Sequence, residues 1–232
     1  MKIYNGEKAI ISLTSWKARI NTVGKTLYSL LKMCPGFHIV LVLSEEEFPK
    51  KEEELPEELM LFVDNDLIEI LWVYKNYKAF KKVLFTMDKY RDVPVISADD
   101  DCIYIINYAQ ELYDIWLNNK DSFITYRITK QKYDCIETWG FATLHPPFAY
   151  GEYGLFYIDY LEIKNNKHSQ DDNYYTVLRK KVNNMNVINL NKKMRDVVFI
   201  HDENSSLFEV RKKIDNTHEF DEYIKLMQLW EI

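Results

Sequence analysis

The chain alternates between short, continuous apolar runs and longer stretches of helical spacing. Ala9–Thr14 (AIISLT), His38–Ser44 (HIVLVLS), Ile68–Val73 (IEILWV) and Val93–Ser97 (VPVIS) are brief, rich in β-branched residues and almost free of charge. That is the pattern of strands buried on both faces. Between them, Val23, Leu27, Leu30 and Leu31 recur at helical spacing before a Cys34-Pro35-Gly36 stop, and Phe80, Val83, Leu84 and Met87 predict a helix over Lys78–Tyr90. The charged stretch holding Pro49 and Pro56 reads as a loop with a short helix. Strand–helix alternation through the first half predicts an α/β domain with a largely parallel sheet.

The second half has a different texture. Ile105–Leu117 and Asp171–Val182 read as helices, and Ser122–Arg127, Val187–Leu190 and Val197–Ile200 as strands. Lys132–Asp159 is crowded with aromatics. Trp139, Phe141, His145, Phe148, Tyr150 and Tyr153 offer flat faces to a sugar ring, or simply fill the core. From Glu219 onward, Phe220, Tyr223, Ile224, Met227 and Trp230 share one helical face. Glu219, Asp221, Glu222 and Glu231 on its polar side would be repelled by anionic lipid, so internal packing or a homo-oligomer contact is favoured there. No repeat and no Ser/Gly linker divides the 232 residues. One domain is expected, with residues 105–232 draped across the carboxyl edge of a sheet built by residues 1–104.

Composition removes several classes. With 30 Lys+Arg against 36 Asp+Glu the net charge is −6, which argues against nonspecific nucleic-acid binding. Only 6 glycines are present, and neither G-x-G-x-x-G nor a P-loop occurs, so any bound phosphate must be held without a glycine cradle. Cys34, Cys102 and Cys135 are odd in number and far apart, which points to a reducing compartment rather than a disulfide framework or a zinc site. The opening residues lack a secretory apolar region, and no apolar run approaches a membrane span. The expectation is a cytoplasmic protein without a transmembrane segment.

The sharpest chemical feature is Asp99-Asp100-Asp101 at the end of a buried strand, where ligands gather in open α/β sheets. If the chain stays extended, Asp99 and Asp101 share one side and Asp100 faces the other. Paired carboxylates repel unless a cation lies between them, and hard oxygen donors favour Mn2+ or Mg2+. A helix N-cap explains one such Asp more readily than three. An EF-hand fails for want of its central Gly, and the D-x-D of an Asp-nucleophile phosphatase is expected after the first strand, not the fourth. Asn76–Lys82 brings Lys81 and Lys82 to the start of a helix, as phosphate partners or as a solvated helix face. Thr14-Ser15-Trp16-Lys17-Ala18-Arg19 offers hydroxyls and a cation after the first strand, or a capping turn.

Taken in order, ISLTSWKARI, LVLSEEEFP, NYKAFKK and ADDDCIY resemble the D-x-D-containing, GT-A fold, nucleotide-sugar glycosyltransferases of bacterial surface polysaccharide (capsule and lipopolysaccharide) biosynthesis, over about Lys8 to Leu207. The resemblance implies a GT-A-like, Rossmann-like, mixed but mostly parallel sheet flanked by helices in a single domain. Residues 1–104 would bind the nucleotide sugar and residues 105–232 the acceptor. It implies metal-dependent, inverting transfer of a hexose-type sugar, from a UDP-sugar to a glycan or lipid-linked acceptor, with Mn2+ or Mg2+ as cofactor and room for peripheral contact at the inner membrane face.

The resemblance also assigns roles. Thr14, Ser15 and Arg19 would hold base and phosphates, and Lys82 with Lys81 would face the diphosphate. Asp99 would lie nearest the ribose and help bind the metal, Asp101 would ligate the metal directly, and Asp100 would shape the site. Asp172, then Asp171, would be the acceptor base, although both also suit the N-cap of a helix from Asn173. His201, in VVFIHDEN, would be a third metal ligand, or a hydrogen-bonded histidine at a strand end. Gly151–Tyr157 resembles the Gly-containing strand that enters the acceptor half, with Tyr153-Gly154 where adjacent glycines are common. Two rivals remain. A sugar nucleotidyltransferase shares the carboxylate–metal logic but lacks its Gly-rich basic loop here, and a catalytically silent carbohydrate-binding or assembly module needs none of this chemistry.

Overall fold

The computed structural model describes residues 4–129, 136–137, 142–156, 158 and 171–200. Expectations for Cys135, Trp139, Phe141, His201 and the amphipathic face from Glu219 lie outside the described residues. In chain order the strands are β1 (Ile10–Thr14), β2 (His38–Ser44), β3 (Glu69–Val73), β4 (Val95–Ser97), β5 (Cys102–Tyr104), β6 (Ser122–Thr125), β7 (Ile128–Thr129), β8 (Ile136–Glu137), β9 (Thr143–His145), β10 (Asn186–Asn189) and β11 (Val198–Ile200). The helices are α1 (Val23–Met33), α2 (Glu57–Asp64), α3 (Lys81–Lys89), α4 (Tyr108–Leu117), the single turn α5 (Tyr153–Phe156) and α6 (Asp171–Val182).

Seven strands form one sheet in the order β10-β6-β9-β4-β1-β2-β3. β1 lies parallel to β2 and β4, and β3 parallel to β2, with Ile11 opposite both Ile39 and Ile96. β9 runs antiparallel between β4 and β6, and so joins the second half of the chain to the first within this sheet, while β5 and β11 pair antiparallel in a separate ribbon. The sheet is mixed but mostly parallel, flanked by helices, as the sequence leads one to expect.

Side-chain alternation explains the continuous apolar runs. Ile11 and Leu13 of β1 and Ile39, Leu41 and Leu43 of β2 face a core shared with Val23, Leu27 and Leu30 of α1, Leu59 of α2 and Leu112 of α4. Ile10, Val40 and Val42 face the opposite side, where Val83, Leu84 and Met87 of α3 and Tyr174, Tyr175 and Leu178 of α6 form a further cluster. Helices cover both faces, so polar strand positions are few. Each fully buried Leu, Ile or Val contributes roughly 1.5–3 kcal/mol by leaving water. The parallel arrangement brings the carboxyl ends of β1 to β4 to one edge.

Three local expectations are corrected. The helix predicted over Lys78–Tyr90 opens as a 3-10 turn, Lys78–Phe80, because Lys78 adopts φ +50° while its N–H donates to Asn76 Oδ1 at 3.0 Å. The helix predicted from Ile105 starts at Tyr108, capped by Asn107 Oδ1, which accepts from the Gln110 N–H at 3.1 Å. Ile105 instead donates its N–H to Val197 C=O at 3.0 Å, just beyond β5, which pairs antiparallel with β11. Gly151–Phe156 is a turn and a one-turn helix rather than a strand. A Cβ at Gly154 would stand 3.2 Å from both Leu84 and Tyr150, so close packing there favours glycine. Among the described residues no helix is long and apolar enough to cross a membrane.

β9 carries a buried histidine with a testable consequence. His145 Nδ1 is 2.8 Å from the Tyr150 hydroxyl, and its ring packs edge-on against Phe123 and Tyr175. Burial, and then the charge of Lys82, pushes its pKa down to about 3. Below its ordinary pKa near 6.5 the unfolded chain takes up a proton that the folded chain refuses, so stability falls as pH drops from about 6.5 toward 3. The limiting slope for one group is about 1.4 kcal/mol per pH unit. Urea unfolding of wild type and His145→Gln between pH 8 and 4.5 should show the stability gap between them narrowing by up to that slope; parallel curves would contradict this.

Candidate active site

At the end of β4 the chain does not stay extended. Ala98 still follows β1, its N–H donating to Ser12 C=O at 3.0 Å, but the backbone turns at Asp100–Asp101 and returns as β5. The turn separates the three aspartates all the same. Asp100 points inward: its Oδ1 accepts from Arg19 Nη1 at 2.6 Å, its Oδ2 accepts from Ser15 Oγ at 2.7 Å, and its carbonyl accepts from Thr26 Oγ1 at 2.9 Å. The same Arg19 nitrogen lies 3.1 Å from Asp101 Oδ2. Arg19 is only 4% exposed. The cation expected at the phosphates is thus spent on shaping the aspartate turn. Burial still pushes the Asp100 carboxyl above its usual range, against the pull of Arg19 and Ser15.

Asp99 and Asp101 come together with Cys102. One ligand atom from each lies within 4.8 Å of the others. Burial first, and then the neighbouring Asp99 carboxylate, pushes the Asp101 carboxyl up to about 6 despite Arg19. That donor set fits a hard divalent cation such as Mn2+ or Mg2+. Cys102 is held as a thiol: burial and both carboxylates raise its pKa, and its Sγ donates to Asp101 Oδ1 at 3.6 Å. It offers no thiolate to a soft metal.

The two lysines separate. Lys82 Nζ donates to Asp99 Oδ1 at 2.6 Å and lies 3.5 Å from Asp171 Oδ2. Burial works against its ammonium, but the charges of Asp99, Asp171 and Asp172 together outweigh it and raise the pKa. Lys81 is 1% exposed, and its ammonium donates to Glu47 Oε2 at 3.2 Å and Asn76 Oδ1 at 2.9 Å. Burial lowers its pKa in spite of Glu47. Lys81 braces the loop after β2, and Lys82 faces the aspartates. Thr14, at the carboxyl end of β1, donates its hydroxyl to Val42 C=O at 2.7 Å.

Asp171 and Asp172 form the first turn of α6, where carboxylates also favour the helix dipole. Tyr175 of this helix donates to Phe80 C=O at 3.2 Å, and Tyr174 donates to Gly154 C=O at 3.0 Å, which sets the start of α6 against the turn that precedes Lys82. Ser15, Arg19, Lys82, Asp99, Asp100, Asp101 and Asp171 are therefore linked by contacts, with Asp172 close enough to act on Lys82. Several supports escaped the sequence reading. Tyr104 accepts the Asp99 N–H at 3.0 Å, and Ser29 Oγ accepts the Tyr104 N–H at 3.0 Å. Thr26 and Ser29 were readable in principle as polar residues three apart on the apolar face of α1.

No protein-family model matches the chain, and no curated protein matches it in sequence. Solved structures do resemble it. TarS (residues 1–349) of S. aureus aligns over 83% of this chain and 60% of its own, with 13% identity and a TM-score of 0.53. The glycosyltransferase GlyE of Streptococcus pneumoniae TIGR4 aligns over 80% of this chain and 45% of its own, with 14% identity and a TM-score of 0.51. GalNAc-T7 with UDP, GalNAc and Mn2+ aligns over 53% of this chain at a TM-score of 0.42, too distant to bear on the chemistry. The chain thus spans about half the length of GlyE and TarS and about a quarter of GalNAc-T7. The fold is that of GT-A glycosyltransferases.

The buried clamp is directly testable. Arg19→Gln strands the Asp100 carboxylate and should cost about 3 kcal/mol or more. Adding Asp100→Asn should recover a large part of that loss in urea unfolding. Losses that simply add would show that the pair does not carry the turn.

Proposed function

We propose that this chain is a metal-dependent glycosyltransferase that moves a sugar from a nucleoside-diphosphate sugar, a UDP-sugar by family resemblance, to a hydroxyl of a glycan or lipid-linked acceptor. Bacterial surface polysaccharide synthesis, in the cytoplasm at the inner membrane face, is the setting that goes with this reading. The observation that carries it is the Asp99–Asp101 carboxylate pair with the Lys82 ammonium beside it, at the carboxyl edge of a GT-A-type sheet. Such an edge is where nucleotides bind in α/β folds. The structural likeness supplies the fold, and the charge cluster supplies the chemistry.

In this reading Asp99 and Asp101 hold Mn2+ or Mg2+. His201, which lies outside the described residues, is the third ligand in this reading by family resemblance alone. The bound cation would neutralise charge on the departing diphosphate. Lys82 contributes a fixed ammonium to the same oxygens, in a desolvated setting where a charge acts strongly. Arg19 and Ser15 keep Asp100 buried and so hold the turn in the shape that aims Asp99 and Asp101 outward. Thr14 and Ser15 border the nucleotide. Asp172 takes the proton from the acceptor hydroxyl as it attacks the anomeric carbon, and displacement from the opposite face inverts the configuration. Residues 1–104 thus serve the donor and residues 105–232 the acceptor.

Incubation with UDP-, GDP- and CMP-sugars, with Mn2+ or with excess chelator, tests this directly. Release of nucleoside diphosphate should require both the right donor and the metal. Asp101→Asn and Asp172→Asn should each lower transfer by on the order of 100-fold or more while unfolding normally. Full turnover in chelator, or in Asp101→Asn, would overturn the metal-dependent reading. Release of pyrophosphate from a nucleoside triphosphate would replace it with nucleotidyl transfer.

A further inference from the structure

The aspartates that begin α6 sit in unlike surroundings. Asp171 is 6% exposed, and its Oδ2 lies 3.5 Å from Lys82 Nζ, whose nearer partner is Asp99 Oδ1 at 2.6 Å. One buried ammonium therefore spans from the turn after β4 to the first residue of α6. Asp172 is only half-buried. The start of the helix is fixed at this spot by the Tyr175 hydrogen bond to Phe80 C=O and by the edge-on packing of the Phe80 and Tyr174 rings, 5.2 Å apart.

Resting on the transferase reading, we propose that Asp171 is a positioning residue that acts through Lys82, sharing its ammonium with Asp99 and so setting how much of that charge the diphosphate receives, while Asp172 takes the acceptor proton. A general base must reach the hydroxyl it deprotonates, and a buried carboxylate turned toward a buried ammonium does not. An ammonium has three donors and no more. Asp171 Oδ2 holds the ammonium by charge at 3.5 Å without a hydrogen bond, so incoming diphosphate oxygens displace that attraction before the 2.6 Å hydrogen bond to Asp99. Asp171 thus opposes nucleotide binding through Lys82, and that opposition disappears when Lys82 is absent.

Calorimetric titration of UDP in Mn2+ into four proteins tests this: wild type, Asp171→Asn, Lys82→Met and the double variant. Asp171→Asn should tighten UDP by roughly threefold or more in the presence of Lys82 and by less than about 1.5-fold in its absence, the non-additivity expected of one residue acting through another. Asp171→Glu should restore wild-type affinity. If Lys82→Met does not fold, Lys82→Gln serves in its place. In turnover, Asp171→Asn should keep about a tenth or more of kcat, whereas Asp172→Asn loses on the order of 100-fold. An equal Asp171→Asn effect in both backgrounds, or unchanged UDP affinity with kcat lost, would overturn the assignment. A wild-type protein that takes up no UDP defeats the transferase reading itself, an outcome distinct from additive binding.

Discussion

Three carboxylates in succession at the end of a buried strand can be held together only by positive charge, and the rest of the site is arranged around that requirement. Arg19 meets part of it, bridging Asp100 and Asp101 from the segment after β1. Lys82 meets a second part, reaching Asp99 from the first turn of α3. Burial first, and then the neighbouring Asp99 carboxylate, still pushes the Asp101 carboxyl up. A divalent cation is the natural completion of such a set. The cost of burying charge is normally prohibitive, so elements far apart in sequence are committed to this one edge.

The same requirement explains how the protein manages without a glycine cradle. Phosphate sites built on glycine loops use backbone N–H groups, and no glycine occurs in the turn after β1. In the proposed reading the phosphates meet the Lys82 ammonium and a recruited metal. That arrangement needs precise support, and the supports are buried hydroxyls. Thr26 holds the Asp100 carbonyl, Ser29 holds the Tyr104 amide, and Tyr104 holds the Asp99 amide. The net charge of −6 bears on solubility and says little about a site whose local charges are balanced pair by pair.

Much of the fold was legible because β1 to β4 are buried on both faces, which leaves uninterrupted apolar runs such as HIVLVLS. β11 was legible as the run Val197–Ile200, but β5 was not: it is three residues long and gains its identity from pairing with β11 across almost a hundred residues of chain, a tertiary cause that no local pattern records. At the site, Asp99, Asp101 and Lys82 stood out through residue type and position after strands. The roles of Arg19 and Lys81 did not, because charge alone cannot tell a cation that awaits a ligand from one already committed to Asp100 or Glu47. The separation of Asp99 and Asp101 from Asp100 was anticipated from strand alternation, yet it arises from a turn and from the pull of Arg19 and Ser15.

The central question is whether Asp99 and Asp101 make a cation site that a nucleoside diphosphate completes. Manganese uptake followed by electron paramagnetic resonance, with and without UDP, measures this without any need for a donor sugar or acceptor. The expected result is one Mn2+ per chain, bound about tenfold or more tightly when UDP is present and lost in a folded Asp99→Asn/Asp101→Asn variant. Uptake that is absent in the wild type, indifferent to UDP, or unchanged in that variant would contradict it.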